Sequence, residues 1–164
     1  MTLKGLHALW RARGSTGRSP RREDFTLQDL KPWLGHLALL EHSPGGGFRF
    51  RVCSTAMFPR FGCDATGKLA HELSAMFCSD FPHRLEQAVT SGTPICTWVP
   101  VASSVATVTY AELVLPLRHK NERENMLLVG TYKFSVDSPP RDLADTLTES
   151  NTTNHRGRFT RSCR

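Results

Sequence analysis

Apolar residues recur along this 164-residue chain first at helical and then at strand spacing, in an order that lays out one domain. Leu3, Leu6 and Trp10 fall three and four apart, on one face of a helix from about Thr2 to Arg13. Such a stripe needs an apolar surface to cover. Phe25, Leu30, Trp33 and Leu34, set among acids and a proline, predict one or two short helical turns that close one end of a sheet. Leu37 and Leu39 alternate with their neighbours, Pro44 to Gly47 supplies a turn, and Phe48, Phe50 and Val52 alternate with Arg49 and Arg51. That is a half-buried hairpin. Ser54 or Thr55 can cap a short helix with Met57, Phe58 and Phe61 facing inward. Pro59 limits its length and Gly62 lies near its end.

After a second turn at Asp64 to Gly67, Leu69 and Leu73 belong to another short helix. A longer one runs from near Ser79 to Gly92, with Phe81, Leu85, Ala88 and Val89 on one face. Three strands follow. In Ile95–Val101, Cys96 and Trp98 oppose Thr97 and Val99. In Thr107–Leu117, Ala111, Leu113, Leu115 and Leu117 oppose Val108, Tyr110, Glu112 and Val114. His119 to Asn125 reads as a hairpin loop, and Met126–Phe134 as the last strand, with Gly130 where something approaches the backbone closely. The fold class is therefore α+β, divided into an N-terminal helix and basic arm (1–22), a central domain (23–135) and a tail (136–164). The tail has no apolar periodicity and is expected to be disordered.

Charge refines this picture. The net charge is +6, but Lys4, Arg11, Arg13, Arg18, Arg21 and Arg22 stand in the first 22 residues with no acid, and Arg156, Arg158, Arg161 and Arg164 in the last 15. Between them 11 basic residues face 15 acidic ones, so the body is acidic. Basic ends on an acidic body give no reason to expect specific nucleic-acid binding. Five cysteines, an odd number without a Cys-x-x-Cys pair, and no secretory leader point to reduced thiols and a cytoplasmic location. No apolar run is long enough for membrane insertion.

Several words in the chain occur in a recognisable order. They are the Leu9-Trp10 helix, Trp33-Leu34-Gly35-His36-Leu37 leading into Leu39-Leu40-Glu41, and Phe48-Arg49-Phe50-Arg51 followed by Thr55. Next come Phe61-Gly62-Cys63-Asp64-Ala65-Thr66-Gly67-Lys68, Tyr110 to Leu117, and Met126 to Gly130. From about His7 to Phe134 the sequence resembles a group of bacterial PAS-like proteins, often short single-domain chains. Cys53-Ser54-Thr55 departs from that pattern, which has a glycine before the threonine. The resemblance implies a five-stranded antiparallel sheet curved around a pocket that central helices cover, and signalling by binding rather than catalysis.

On this reading Phe50, Val52, Phe58, Phe61, Phe81, Leu85, Leu113, Leu115 and Leu128 either line an apolar ligand cavity or fill the core. Thr55, Arg51 or Tyr110 is a candidate to orient a ligand's polar end, and His71 joins the pocket candidates if it points inward. Trp98, Tyr110 and Val114 are assigned to the outer sheet face. The helix bearing Leu3, Leu6 and Trp10 is its expected cover, drawn from the same chain or from a second copy, and a homodimer is expected. No catalytic residue and no metal set is named. Flavin photochemistry needs an Asn-Cys-Arg word that Cys53 and Cys63 lack, and haem needs an axial ligand that no histidine clearly offers, so neither cofactor is expected. The ligand itself stays unknown, and the expected partner is a small molecule or a signalling protein. Two other classes stay open: a nucleotide second-messenger receptor using Arg18, Arg21 and Arg22 as an anion grip, and an enzyme with His71 or Cys53 as its reactive group.

Overall fold

The computed structural model describes residues 2–15, 17–77, 80–102, 107–119 and 123–133. The expected tail (136–164), Phe134, Ser79 and the middle of the expected 119–125 loop lie outside these residues. Helix α1 spans Leu3–Arg13. A 3-10 turn (Arg22–Asp24), α2 (Leu27–Leu30) and a second 3-10 segment (Lys31–His36) lead into strands β1 (Leu37–His42) and β2 (Phe48–Cys53). A 3-10 turn at Thr55–Met57, α3 (Phe58–Phe61), α4 (Ala70–Phe77) and α5 (Phe81–Ser91) precede β3 (Ile95–Ala102), β4 (Thr107–His119) and β5 (Arg123–Lys133). All neighbouring strands are antiparallel, in the order β2-β1-β5-β4-β3. The five-stranded α+β sheet expected from the sequence is the one observed.

Local chemistry explains the joints. At the hairpin tip Ser43 N donates to Gly47 O and Gly46 N to Ser43 O, at 2.8 and 2.9 Å, while Gly46 and Gly47 hold φ of 92° and 73°. Only glycine enters that region without steric cost. Helix α2 opens with a reciprocal cap. Asp29 N donates to Thr26 Oγ1 at 3.2 Å, and Thr26 N donates to Asp29 Oδ2 at 2.9 Å.

Both faces of the sheet are buried, which decides the rest. Helices α3, α4 and α5 cover the inner face, where Leu40, Phe48, Phe50, Phe61, Phe81, Leu85, Val114 and Leu127 form one cluster. Helix α1 and the 22–36 segment cover the outer face, where Leu3, Leu6, Ala111, Leu113, Leu115 and Leu128 form another. The alternation in β4 groups its residues as expected but on reversed faces. Leu113, Leu115 and Leu128 lie under α1 rather than beside Phe50, whereas Val114 lies inside with Phe50. Tyr110 packs with Val99, Val101 and Val108 in a third cluster, away from Trp98. Trp98 keeps its assigned outer side.

Val52 also changes face, and the cause is local. Leu39 pairs with Val52 but Leu40 pairs with Phe50, so Arg51 is the extra residue of a β-bulge. One inserted residue shifts the pleat by one, and Val52 emerges on the outer side instead of following Phe50 inward.

The N-terminal helix covers its own sheet. A Cβ on Gly130 would lie 2.8 Å from Leu6 Cδ2 and 2.9 Å from Leu3 Cδ2, so the absent side chain is what lets α1 settle on β5. Burying those two leucines is worth about 1.5–3 kcal/mol each as an upper bound. The Leu3 and Leu6 face is thus buried against the chain's own sheet. The arm after α1 is docked as well. Strand β4 outlasts β3, whose pairing begins at Ile95 with Val114, and the arm borders the end of β4 that β3 leaves open. Arg118 N donates to Pro20 O at 3.0 Å, Arg118 Nε donates to Ser19 O at 2.6 Å, and Arg21 forms a parallel bridge with Arg118.

Candidate functional site

The inner face holds an ion cluster that the apolar pattern did not announce. Arg60, Glu112 and Arg84 come from α3, β4 and α5, and Arg60 and Glu112 are fully buried. Arg60 Nη2 donates to Glu112 Oε2, and Arg84 donates from Nη2 and Nε to Glu112 Oε1 at 3.0 and 3.2 Å. The Arg60 guanidinium lies over the rings of Phe61 and Phe81, 4.9 and 5.2 Å from their centroids. Phe50 meets Phe61 edge-on at 5.3 Å and stacks on Phe81 at 6.1 Å. The signal was present in the spacing of Met57, Arg60 and Phe61, at i, i+3 and i+4, which share one helix face. Phe58, expected to face inward, is only partly buried, and Thr55 is exposed.

Other expected site residues are dispersed. His71 is exposed and sits against the hairpin tip, its Nδ1 3.3 Å from where a Gly47 Cβ would be. Cys53 is buried on the inner face, and burial pushes its thiol pKa up, away from the thiolate that a nucleophile needs. Cys96 is pushed up to about 11 by burial and by the nearby Glu112 charge. Among the described residues no group of three or more His, Cys, Asp or Glu side chains is placed to hold a metal ion. None of the helices described is long and apolar enough to cross a membrane.

The outer face has a cavity of its own. A groove of about 150 Å³ lies between the 22–34 segment and the sheet, walled by Phe25, Leu30, Leu37, Leu39, Leu117 and Leu128. Leu27, Leu34 and Val52, 71%, 40% and 56% exposed, stand on its rim and are the large hydrophobic residues found exposed among those described. Arg22 also borders it and donates from Nη1 to Phe25 O at 3.0 Å. Of the residues expected to line a ligand pocket, only Val52 and Leu128 border this groove. Arg18 and Arg21 stay with the docked arm and do not line it.

The antiparallel order β2-β1-β5-β4-β3, with helices packed on the inner face, is the fold of PAS domains. A light-oxygen-voltage domain studied with a flavin analogue superposes with a TM-score of 0.51 at 12% identity, covering 77% of this chain and 95% of that one. The PAS domain of Bordetella pertussis BvgS gives 0.50 at 13% identity, covering 78% and 98%. A fungal LOV domain photoreceptor gives 0.50 at 12%, covering 82% and 92%. These likenesses concern the fold alone. The PAS_5 family, described as a PAS domain, matches residues 1–133, and the chain belongs to that family. A comparison with curated proteins returns no match.

Proposed function

We propose that this PAS domain is a sensory or regulatory module without catalysis of its own. It takes its input, a small molecule or a signalling protein, on the outer side of the sheet, and passes the change on through the N-terminal cap. The observation that carries this reading is the convergence of Leu27, Leu34 and Val52 on one apolar groove. Exposed apolar side chains gathered at one concavity mark a binding surface more than chance scatter does. The groove is also connected to α1. Arg13, in its last turn, pairs with Asp29 of α2 at 2.8 Å, so a shift of the 22–34 segment reaches the helix directly.

The inner face, where the PAS resemblance puts a ligand, has Phe50, Phe61 and Phe81 packed on each other, with Phe61 and Phe81 also against the Arg60 guanidinium. That packing supports a rigid platform rather than a flavin- or haem-based input. A catalytic role finds little support in an exposed His71 and a Cys53 thiol whose pKa burial raises.

Native mass spectra of the purified wild type and of Val52→Glu test the reading. The wild type should carry a non-covalent adduct or form a complex that the variant lacks. If both run as bare monomers, and the protein turns over a substrate until His71 or Cys53 is changed, the reading is wrong.

A further inference from the structure

We propose that the outer groove binds an amphiphilic carboxylate, with a short acyl chain or single aromatic ring between Leu30 and Leu128 and its acid group on Arg22. This rests on reading the groove as the input site, and it adds the chemical class of the occupant.

Three observations converge on it. The groove, about 150 Å³, matches in size a cavity that takes a benzene ring, so its body is a small apolar group. Its walls are aliphatic and aromatic, and the one charged residue among those lining it is Arg22. An apolar body therefore has everything to gain inside, and a charge has one place to go.

Arg22 is suited to that charge. Its guanidinium offers five N–H donors in a planar fork that matches a carboxylate, and a single one goes to the Phe25 carbonyl. Among the described residues no carboxylate pairs with it. A protein partner would need far more apolar surface than three rim side chains supply, since a stable interface covers about 800 Å² per partner. The rim beside Val52 is instead ionic, with Arg51 paired to Glu41 at 3.3 Å.

Occupancy would cover Leu27, Leu34 and Val52 and fasten the 22–34 segment to the β1–β2 edge. The Arg13–Asp29 pair then carries that fastening to α1.

Calorimetric titration of the full chain with octanoate and with 1-octanol tests the proposal. Octanoate should bind saturably, one to one. Arg22→Gln should weaken octanoate about tenfold while leaving octanol unchanged, because only the charge-assisted contact is lost. Val52→Glu and Leu27→Gln, both at exposed positions, should abolish or strongly weaken binding of each, with circular dichroism confirming that the variants fold. Absence of saturable octanoate binding, or binding indifferent to both rim variants, overturns the proposal. If native mass spectra show a dimer that Val52→Glu dissolves and octanoate does not, a second copy fills the groove. The amphiphile is then ruled out while the sensory reading stands. If neither octanoate nor any complex depends on Val52, both readings fall.

Discussion

Trp10 Nε1 donates a 2.8 Å hydrogen bond to the Pro116 carbonyl, fixing the C-terminal half of α1 to β4. Pro116 lies beyond the end of β3, where β4 has lost its neighbour on that side, so the indole satisfies an acceptor that no strand reaches. Trp33 does the same service at the other end of the helix, its Nε1 donating to Thr2 O at 3.1 Å. Trp10→Phe keeps most of the apolar contact and removes the donor. It should cost about 1 kcal/mol in urea unfolding and speed hydrogen exchange selectively in residues 3–13. Unchanged exchange there would show that α1 is held by Leu3 and Leu6 alone.

Gly130 makes the seat for those leucines. Gly130→Val places a branched side chain where Leu3 and Leu6 now lie, so α1 must lift. The expected loss is about 1–3 kcal/mol, with α1 exchanging faster while the inner-face helices keep their protection. A variant as stable as the parent would mean that α1 shifts along β5 at no cost.

The buried ion cluster should behave asymmetrically. Glu112→Ala strands Arg60 in the apolar interior and should destabilise by about 3–5 kcal/mol, measured as a lowered urea midpoint. Arg84→Ala should cost clearly less, because Arg84 sits nearer the surface and Glu112 keeps Arg60. Equal losses would mean that the three groups act as one unit.

Asp29 gives the acid side of the stability profile a specific origin. The Thr26 backbone N–H, then the Thr26 hydroxyl and Arg13, hold its carboxyl below the usual range. A depressed folded-state pKa adds stability that is complete above the unfolded value, near pH 4, and is lost as pH falls through the folded one. Melting temperatures between about pH 2 and 5 should therefore fall less steeply in Asp29→Asn than in the wild type. Parallel slopes would remove Asp29 from the account.

Thiol labelling offers an independent check of the two faces. Burial raises the pKa of Cys53 and Cys96, whereas Cys63 is partly exposed, with Lys68 Nζ 3.4 Å from its sulfur. Alkylation followed by peptide mapping should modify Cys63 before either of the others. Early labelling of Cys96 would mean that the outer cap opens readily.

A two-residue period places Leu113 and Leu115 with Leu117, and Tyr110 with Val114, and the strand keeps those sets. Which set faces the helices was not legible, since both faces of this sheet are buried and each set is apolar enough for either. A bulge at Arg51 turns Val52 outward against the simple alternation, and no residue type in Phe48 to Cys53 marks a bulge. Arg60 is not legible from its own segment, because a buried cation makes sense only beside Glu112, 52 positions away.

The order of elements, the hairpin turn, the apolar stripe of α1 and the need for a small residue at Gly130 all follow from the sequence. They depend on local sterics and on periodicities that act between near neighbours. Tertiary structure alone decided which face each strand set occupies, that α1 covers its own sheet, that Arg60 and Arg84 share Glu112, and that Leu27, Leu34 and Val52 meet at one groove. Each of those outcomes is a contact between segments far apart in the chain, fixed by packing two apolar faces at once.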